Sequence, residues 1–220
     1  MLRNALLIAV AAVLAVPAAV QVQTGFKVRV DGHNAAAADG HATLKVAPMA
    51  KGFTVSGGPG AIIWNPANTV KGIFAVRGTF TLLKPSAAIT DYGLFFGGRD
   101  LEGTADYVYF TIAQDGAFQL RHRLGNEIHE IDRSLHFMIR KPDASGKSTN
   151  TLEVQIAPTA VSYLINGAVV HATPTRPGTN SYTEGDKVAG AAGVRIDNAV
   201  DLQVDEFAVL QPFTPPVRGQ

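Results

Sequence analysis

Beyond the first twenty or so residues, apolar side chains recur at alternate positions in short runs, and no stretch keeps the spacing of an amphipathic helix. Successive side chains of a strand point to opposite faces, so each run buries one face and leaves the other free. The 22 glycines and 12 prolines that interrupt the runs are the residues tight turns demand. The pattern implies an all-β chain folded as an antiparallel two-sheet jelly-roll sandwich. Strands are expected at 27–30, 42–47, 52–56, 61–64, 72–83, 92–97, 106–113, 117–124, 127–132, 136–139, 151–157, 160–165, 168–171, 192–196 and 202–210. The polar, turn-rich stretches 141–150 and 173–187 read as surface loops. No repeat of fixed period is present.

The turns make the register of three strands legible. Gln114-Asp115-Gly116 separates two alternating runs. A two- or four-residue loop would mix polar with apolar side chains on one surface. A three-residue loop with Gly116 in the left-handed conformation instead pairs Ile112 with Phe118, Phe110 with Leu120 and Val108 with His122. The other face then carries Tyr107 opposite Arg123, Tyr109 opposite Arg121 and Thr111 opposite Gln119. The next turn, Gly125-Asn126, is of the two-residue type, and straight pairing beyond it sets Arg121 across from Glu130 and Gln119 across from Asp132. Asn166-Gly167 signals a further hairpin, with Ile165 meeting Ala168 and Tyr163 meeting Val170.

The start of the chain suggests a compartment. Arg3 precedes an uninterrupted apolar run from Ala5 to Val16, shorter than the roughly 20 residues of a membrane-spanning helix. Val16-Pro17-Ala18 then supplies the small residues of a cleavage site. Residues 1–18 are read as an export signal cut after Ala18, with Ala19 or Gln21 as the nearest alternatives. Residues 19–210 are read as one domain and 211–220 as a loose proline-rich tail, the product being secreted or periplasmic. An uncut membrane anchor is the alternative for the first segment. The chain has no cysteine, which excludes a disulfide, a thiol nucleophile and a lipid-modified start, so stability must come from the core. The formal charge of +1 and the absence of a Lys/Arg block argue against nucleic acid or an anionic membrane surface as partners.

Tyr-Gly-Leu-Phe-Phe-Gly-Gly at 92–98, Tyr-Val-Tyr-Phe-Thr-Ile at 107–112, Asp115-Gly116 and Phe-Gln-Leu-Arg at 118–121 resemble the middle of concanavalin A-like lectin/glucanase jelly rolls. Asn150-Thr-Leu-Glu-Val, Tyr163-Leu-Ile-Asn-Gly and Gly193-Val-Arg-Ile with Asp205-Glu-Phe resemble the closing strands of laminin-G-like and 3-keto-disaccharide hydrolase-like domains. The likeness spans about 52–210 and rests on structural motifs. It implies two sheets packed face to face, with a concave side that in relatives often meets carbohydrate. The Glu-x-Asp-x-x-Glu motif of laminarinase-like glycosidases is absent, and fold alone does not license an enzyme.

Candidate sites follow from the derived face. Tyr107, Tyr109, Arg121, Arg123, Glu130 and Asp132 combine aromatic surface with planar donors and acceptors, the mix that suits a sugar. Ordinary cross-strand pairing on an exposed sheet explains the same residues without a ligand. Glu130 and Asp132 are also the candidates for an acid/base pair, although Arg121 opposite Glu130 would keep that carboxylate ionised. His129-Glu130 lacks the second histidine of a zinc-protease helix, Arg133 standing in its place. His122 reads as a partly buried imidazole with a local hydrogen-bond partner, and Trp64 as a core residue. Asp197, Asp201 and Asp205, with Glu206, are the place where Ca²⁺ would bind if any cofactor does; a solvated strand edge is the simpler reading of them. The expected partner is a glycan or polysaccharide. A structural role with protein partners stays open through the proline-rich tail and the polar sheet.

Overall fold

The computed structural model describes residues 25–31 and 44–214. The expected export signal, the part of the expected tail beyond 214 and the first two residues of the expected 42–47 strand lie outside them. Fourteen strands and one 3₁₀ turn are described. In chain order the strands begin with β1 (Lys27–Val30), β2 (Lys45–Met49), β3 (Gly52–Ser56), β4 (Ala61–Val70) and β5 (Phe74–Lys84). They continue with β6 (Asp91–Arg99), β7 (Asp106–Ala113), β8 (Ala117–Leu124), β9 (Glu127–Leu135) and β10 (Ser148–Ile156). The last are β11 (Ala160–Ile165), β12 (Ala168–Pro174), β13 (Gly190–Ile196) and β14 (Asp201–Leu210).

They form two antiparallel seven-stranded sheets, ordered β1-β4-β13-β6-β7-β8-β9 and β12-β11-β10-β5-β14-β3-β2. The expected sandwich is therefore present. The inward rows of both sheets make one core in which Phe53, Phe74, Phe80, Phe96, Phe110 and Tyr163 are almost wholly buried. Rings meet across the gap, with Phe110 at 5.3 Å and Phe96 at 6.1 Å from Tyr163. Each buried large apolar side chain contributes about 1.5–3 kcal/mol, which is how a chain without cross-links holds together.

The β7–β8 register is as expected residue for residue, from Tyr107 opposite Arg123 to Ile112 opposite Phe118. Gly116 adopts a φ of 92°, the left-handed conformation the turn requires. Arg121 also faces Glu130, but the next residues do not pair as expected. Leu120 opposes Asp132, and Gln119 opposes Arg133, because a bulge leaves Ile131 without a partner. Asp132 is thereby carried to the side of Leu120, away from the Arg121 face. There its Oδ2 lies 2.7 Å from Nδ1 of His171 on β12, and its Oδ1 accepts from the Ser134 hydroxyl at 3.0 Å. Ile131 still packs against the core, so the extra residue satisfies an apolar and a polar neighbour together.

Two other expectations need correction. A bulge between Tyr163 and Leu164 makes Tyr163 face His171, not Val170, while Ile165 meets Ala168 as expected. Residues 136–139 are not a strand, since the Ile139 amide donates to the His136 carbonyl at 3.1 Å and turns the chain back. The loops are shorter than expected at their ends, with Ser148 to Asn150 lying in β10 and Thr173 and Pro174 in β12.

Candidate functional site

On the outer face of the first sheet, register carries one row across six strands: Trp64, Gly193, Phe95, Tyr109, Arg121 and Glu130. The adjacent row runs Ile62, Arg195, Gly93, Thr111, Gln119 and Arg133. Gly93 places no side chain between Arg195 and the strands beyond it. The Arg195 guanidinium consequently reaches over the Tyr109 ring, 5.6 Å from its centre, a cation–π contact. Gly193 is required for closeness, because a Cβ there would lie 2.3 Å from the Ile63 carbonyl oxygen and 2.6 Å from the Phe95 ring.

This face was expected to be wet, and most of it is not. Tyr107, Tyr109 and Arg123 are only 2%, 2% and 4% exposed. The connection between β6 and β7 folds back over the sheet, and its Leu101 and Ala105 join Ile62, Trp64, Phe95, Tyr107, Tyr109 and Ala191 in a second apolar cluster. Arg29 of β1 clamps it by donating to the Leu101 carbonyl at 2.7 Å, and Lys27 pairs with Glu102. Trp64 is buried as expected, but here and not between the sheets.

One opening on this face is a cavity of about 150 Å³ lined by Asp31, Asp91, Tyr109, Arg121, Arg123, Ile128, Arg195 and Asp197. Asp31, just past β1, ties it together. Its Oδ1 accepts from Nη1 of Arg123 at 2.5 Å and its Oδ2 from Nη2 of Arg195 at 2.6 Å. Arg123 Nε donates in addition to the Gly125 carbonyl at 2.8 Å. Arg121 Nη2 donates to Glu130 at 3.0 Å. Burial alone pushes the Asp91 carboxyl up, and the neighbouring Asp197 pushes it further. Arg195 and Arg121 pull the other way, and the balance leaves it at about 6. Burial also raises the Tyr107 and Tyr109 hydroxyls above their ordinary range, so both stay neutral phenols.

Of the six residues proposed from sequence, Tyr109, Arg121 and Arg123 line the cavity, Glu130 braces Arg121, and Tyr107 packs its ring 5.8 Å from that of Tyr109. Asp132 does not belong to the site, and it forms no acid/base pair with Glu130, because the bulge puts the two on opposite sides of the sheet. Sequence reasoning missed Asp31, Asp91 and Arg195. Arg195 carried a signal, being the charged residue between Val194 and Ile196 in an inward-facing alternation; Asp31 carried none. Asp197, Asp201 and Asp205 are not brought together. Asp197 joins the cavity, Asp201 faces Lys84 in register, and Asp205 accepts from Gln203 at 2.8 Å. Among the described residues no three His, Asp or Glu side chains are grouped to hold a metal. His122 has the expected partner, its Nε2 lying 2.7 Å from Asp106, and it stacks on Tyr182 at 4.5 Å.

No family model matches the chain, and no curated protein matches it. Solved structures do. A protein of unknown function with a galectin-like fold from Bacillus subtilis superposes with a TM-score of 0.59 at 14% identity, covering 84% of this chain and 89% of that one. The carbohydrate-binding module CBM66 from the same organism gives 0.56 at 8% identity, covering 78% and 96%.

Removal of the carboxylate that both guanidiniums share should expose its role. Asp31→Ala is expected to lower the unfolding free energy by about 3–5 kcal/mol, since it strands two buried cations; a urea titration showing less than about 1 kcal/mol would contradict the triad. Asp91 makes a pH-dependent prediction. Its folded carboxyl keeps a proton to about pH 6 while the unfolded one loses it near 3.8, so its contribution to stability falls as pH rises through that window, by about 3 kcal/mol in full. Asp91→Asn should raise the melting midpoint over wild type at pH 7.5 and only about a third as much at pH 4.5, and the reverse order would refute the assignment. The two-sheet antiparallel sandwich with a galectin-like fold is thus this chain's architecture, shared with the solved structures it resembles.

Proposed function

We propose that the protein is an exported glycan-binding module whose site is the cavity walled by Arg121, Arg123, Arg195, Asp91, Asp197 and Tyr109. The observation that carries this reading is the concentration of three guanidiniums, three carboxylates and an aromatic ring around one small opening on the outer face of a sheet. Planar donors and acceptors of both charges recognise vicinal hydroxyls, and an aromatic ring receives the apolar face of a sugar. Pockets for drug-sized ligands run to about 300–1,000 Å³. The smaller opening here suits one residue of a glycan, such as a chain end. The sandwich likeness to a carbohydrate-binding module supports the reading as fold analogy. The finer likeness to laminin-G-like and 3-keto-disaccharide hydrolase-like domains belongs to the same proposal.

The full chain should be purified after export, so that its first residue reports the cleavage point, and applied to a glycan array. Binding is expected, and Arg121→Gln, a change at the partly exposed wall of the cavity, should weaken it at least tenfold, in line with the loss of a charged hydrogen bond. Unaltered binding in that variant would remove the cavity from the account.

One observation favours a second reading, glycoside processing. Asp91 holds its proton to about pH 6 beside Asp197, the condition of a general acid. This moves the acid from Glu130 and Asp132 to Asp91. Incubation with a disaccharide panel should then release reducing sugar or a 3-keto product, and Asp91→Asn should abolish it. No product from any substrate by the wild type would exclude this reading and leave the binding reading intact.

A further inference from the structure

The donors and acceptors around the cavity do not balance. Both oxygens of Asp31 are already taken by Arg123 and Arg195. Arg123 spends its Nε on the Gly125 carbonyl, and Arg121 its Nη2 on Glu130. Arg195 Nε and Nη1 and Arg121 Nε remain buried without an acceptor. Arg195 is only 6% exposed and lines the cavity. Buried donors left unpaired are costly, and a cationic donor most of all. A ligand entering this space is the natural source of the missing acceptors.

Sugar hydroxyls would supply neutral acceptors. A carboxylate supplies charge and about four lone-pair sites, and charge-assisted bonds are roughly twice as strong as neutral ones. We infer that the cavity takes an acidic sugar, a uronate whose carboxylate is received by Arg195 and Arg121. The inference rests on the glycan-binding reading above and narrows its ligand class.

A second consequence follows from the groups that surround Asp91. Arg195 and Asp197 face it from β13 and its end, Arg121 from β8, and Tyr109 from β7, and Arg123 and Asp31 line the same cavity. An anion placed among them disfavours the Asp91 carboxylate further, so uronate binding draws a proton onto it. Affinity for the uronate then falls as pH rises above 6, approaching tenfold per pH unit where uptake is complete. A neutral sugar places no charge beside Asp91 and escapes that added penalty.

The test is calorimetric titration of the full exported chain with galacturonate and glucuronate disaccharides and with their neutral galactose and glucose counterparts, at pH 5.5 and pH 7.5. Uronates are expected to bind at least tenfold tighter than the neutral sugars at pH 5.5, with the preference shrinking at pH 7.5. Asp91→Asn should flatten the pH dependence. Arg195→Gln risks unfolding, so Arg121→Gln carries the second check and should erase most of the uronate preference. Neutral sugars bound as tightly as uronates, or uronate affinity identical at the two pH values, would overturn the inference and leave the glycan reading standing. Binding of neither class would overturn both.

Discussion

Asp31 is a single carboxylate shared by two guanidiniums that reach it from different strands, Arg123 on β8 and Arg195 on β13. Buried charges are tolerated only when paired and hydrogen-bonded. Without Asp31 the outer face of the first sheet would hold these two cations unpaired and away from water. Paired to both, Asp31 is held against the outer face, and the β6–β7 connection packs over Trp64, Phe95 and Tyr107. The middle of the first sheet is therefore buried on both faces, by the second sheet inside and by the β6–β7 connection outside. The cavity lies on the outer face beside that cover.

The electrostatics of that opening follow from the same burial. Low solvent access strengthens every charge interaction within it and makes each unpaired group costly. Asp91 responds by holding its proton to about 6, and Arg195 responds in the opposite sense: burial works against its charge, but the oxygens of Tyr107, Asp31, Tyr109 and Asp91 outweigh that penalty and hold it cationic. One wall of the cavity thus leans neutral while the other stays positive. A ligand with both hydroxyls and a negative group is complementary to such a pair of walls.

Much of the fold was legible because it is local. The three-residue turn ending at Gly116 determines which side chains face one another on β7 and β8, since period-two alternation admits one register that keeps the core dry. The bulges at Ile131 and beside Tyr163 were not legible. Straight pairing satisfied every neighbour that the sequence displays; Asp132 instead meets His171 of the other sheet, and Tyr163 faces the same His171 from the neighbouring strand of its own sheet. The residues 136–139 misread as a strand have the right alternation, but their backbone bonds back on itself.

The candidate site divides along the same line. Tyr109 and Arg121 were placed side by side by local pairing, and Arg195 could have been added from its position between two inward-facing residues. Asp31 could not, because it meets Arg123 across 92 positions of sequence, and no periodicity or turn signal operates at that range. By itself the sequence determined an all-β sandwich and which side chains of β7 and β8 share a face. Only the tertiary structure decided that this face is covered, where the cover stops, and which acids meet the arginines there, since burial and charge pairing depend on segments that become neighbours only once both sheets are assembled.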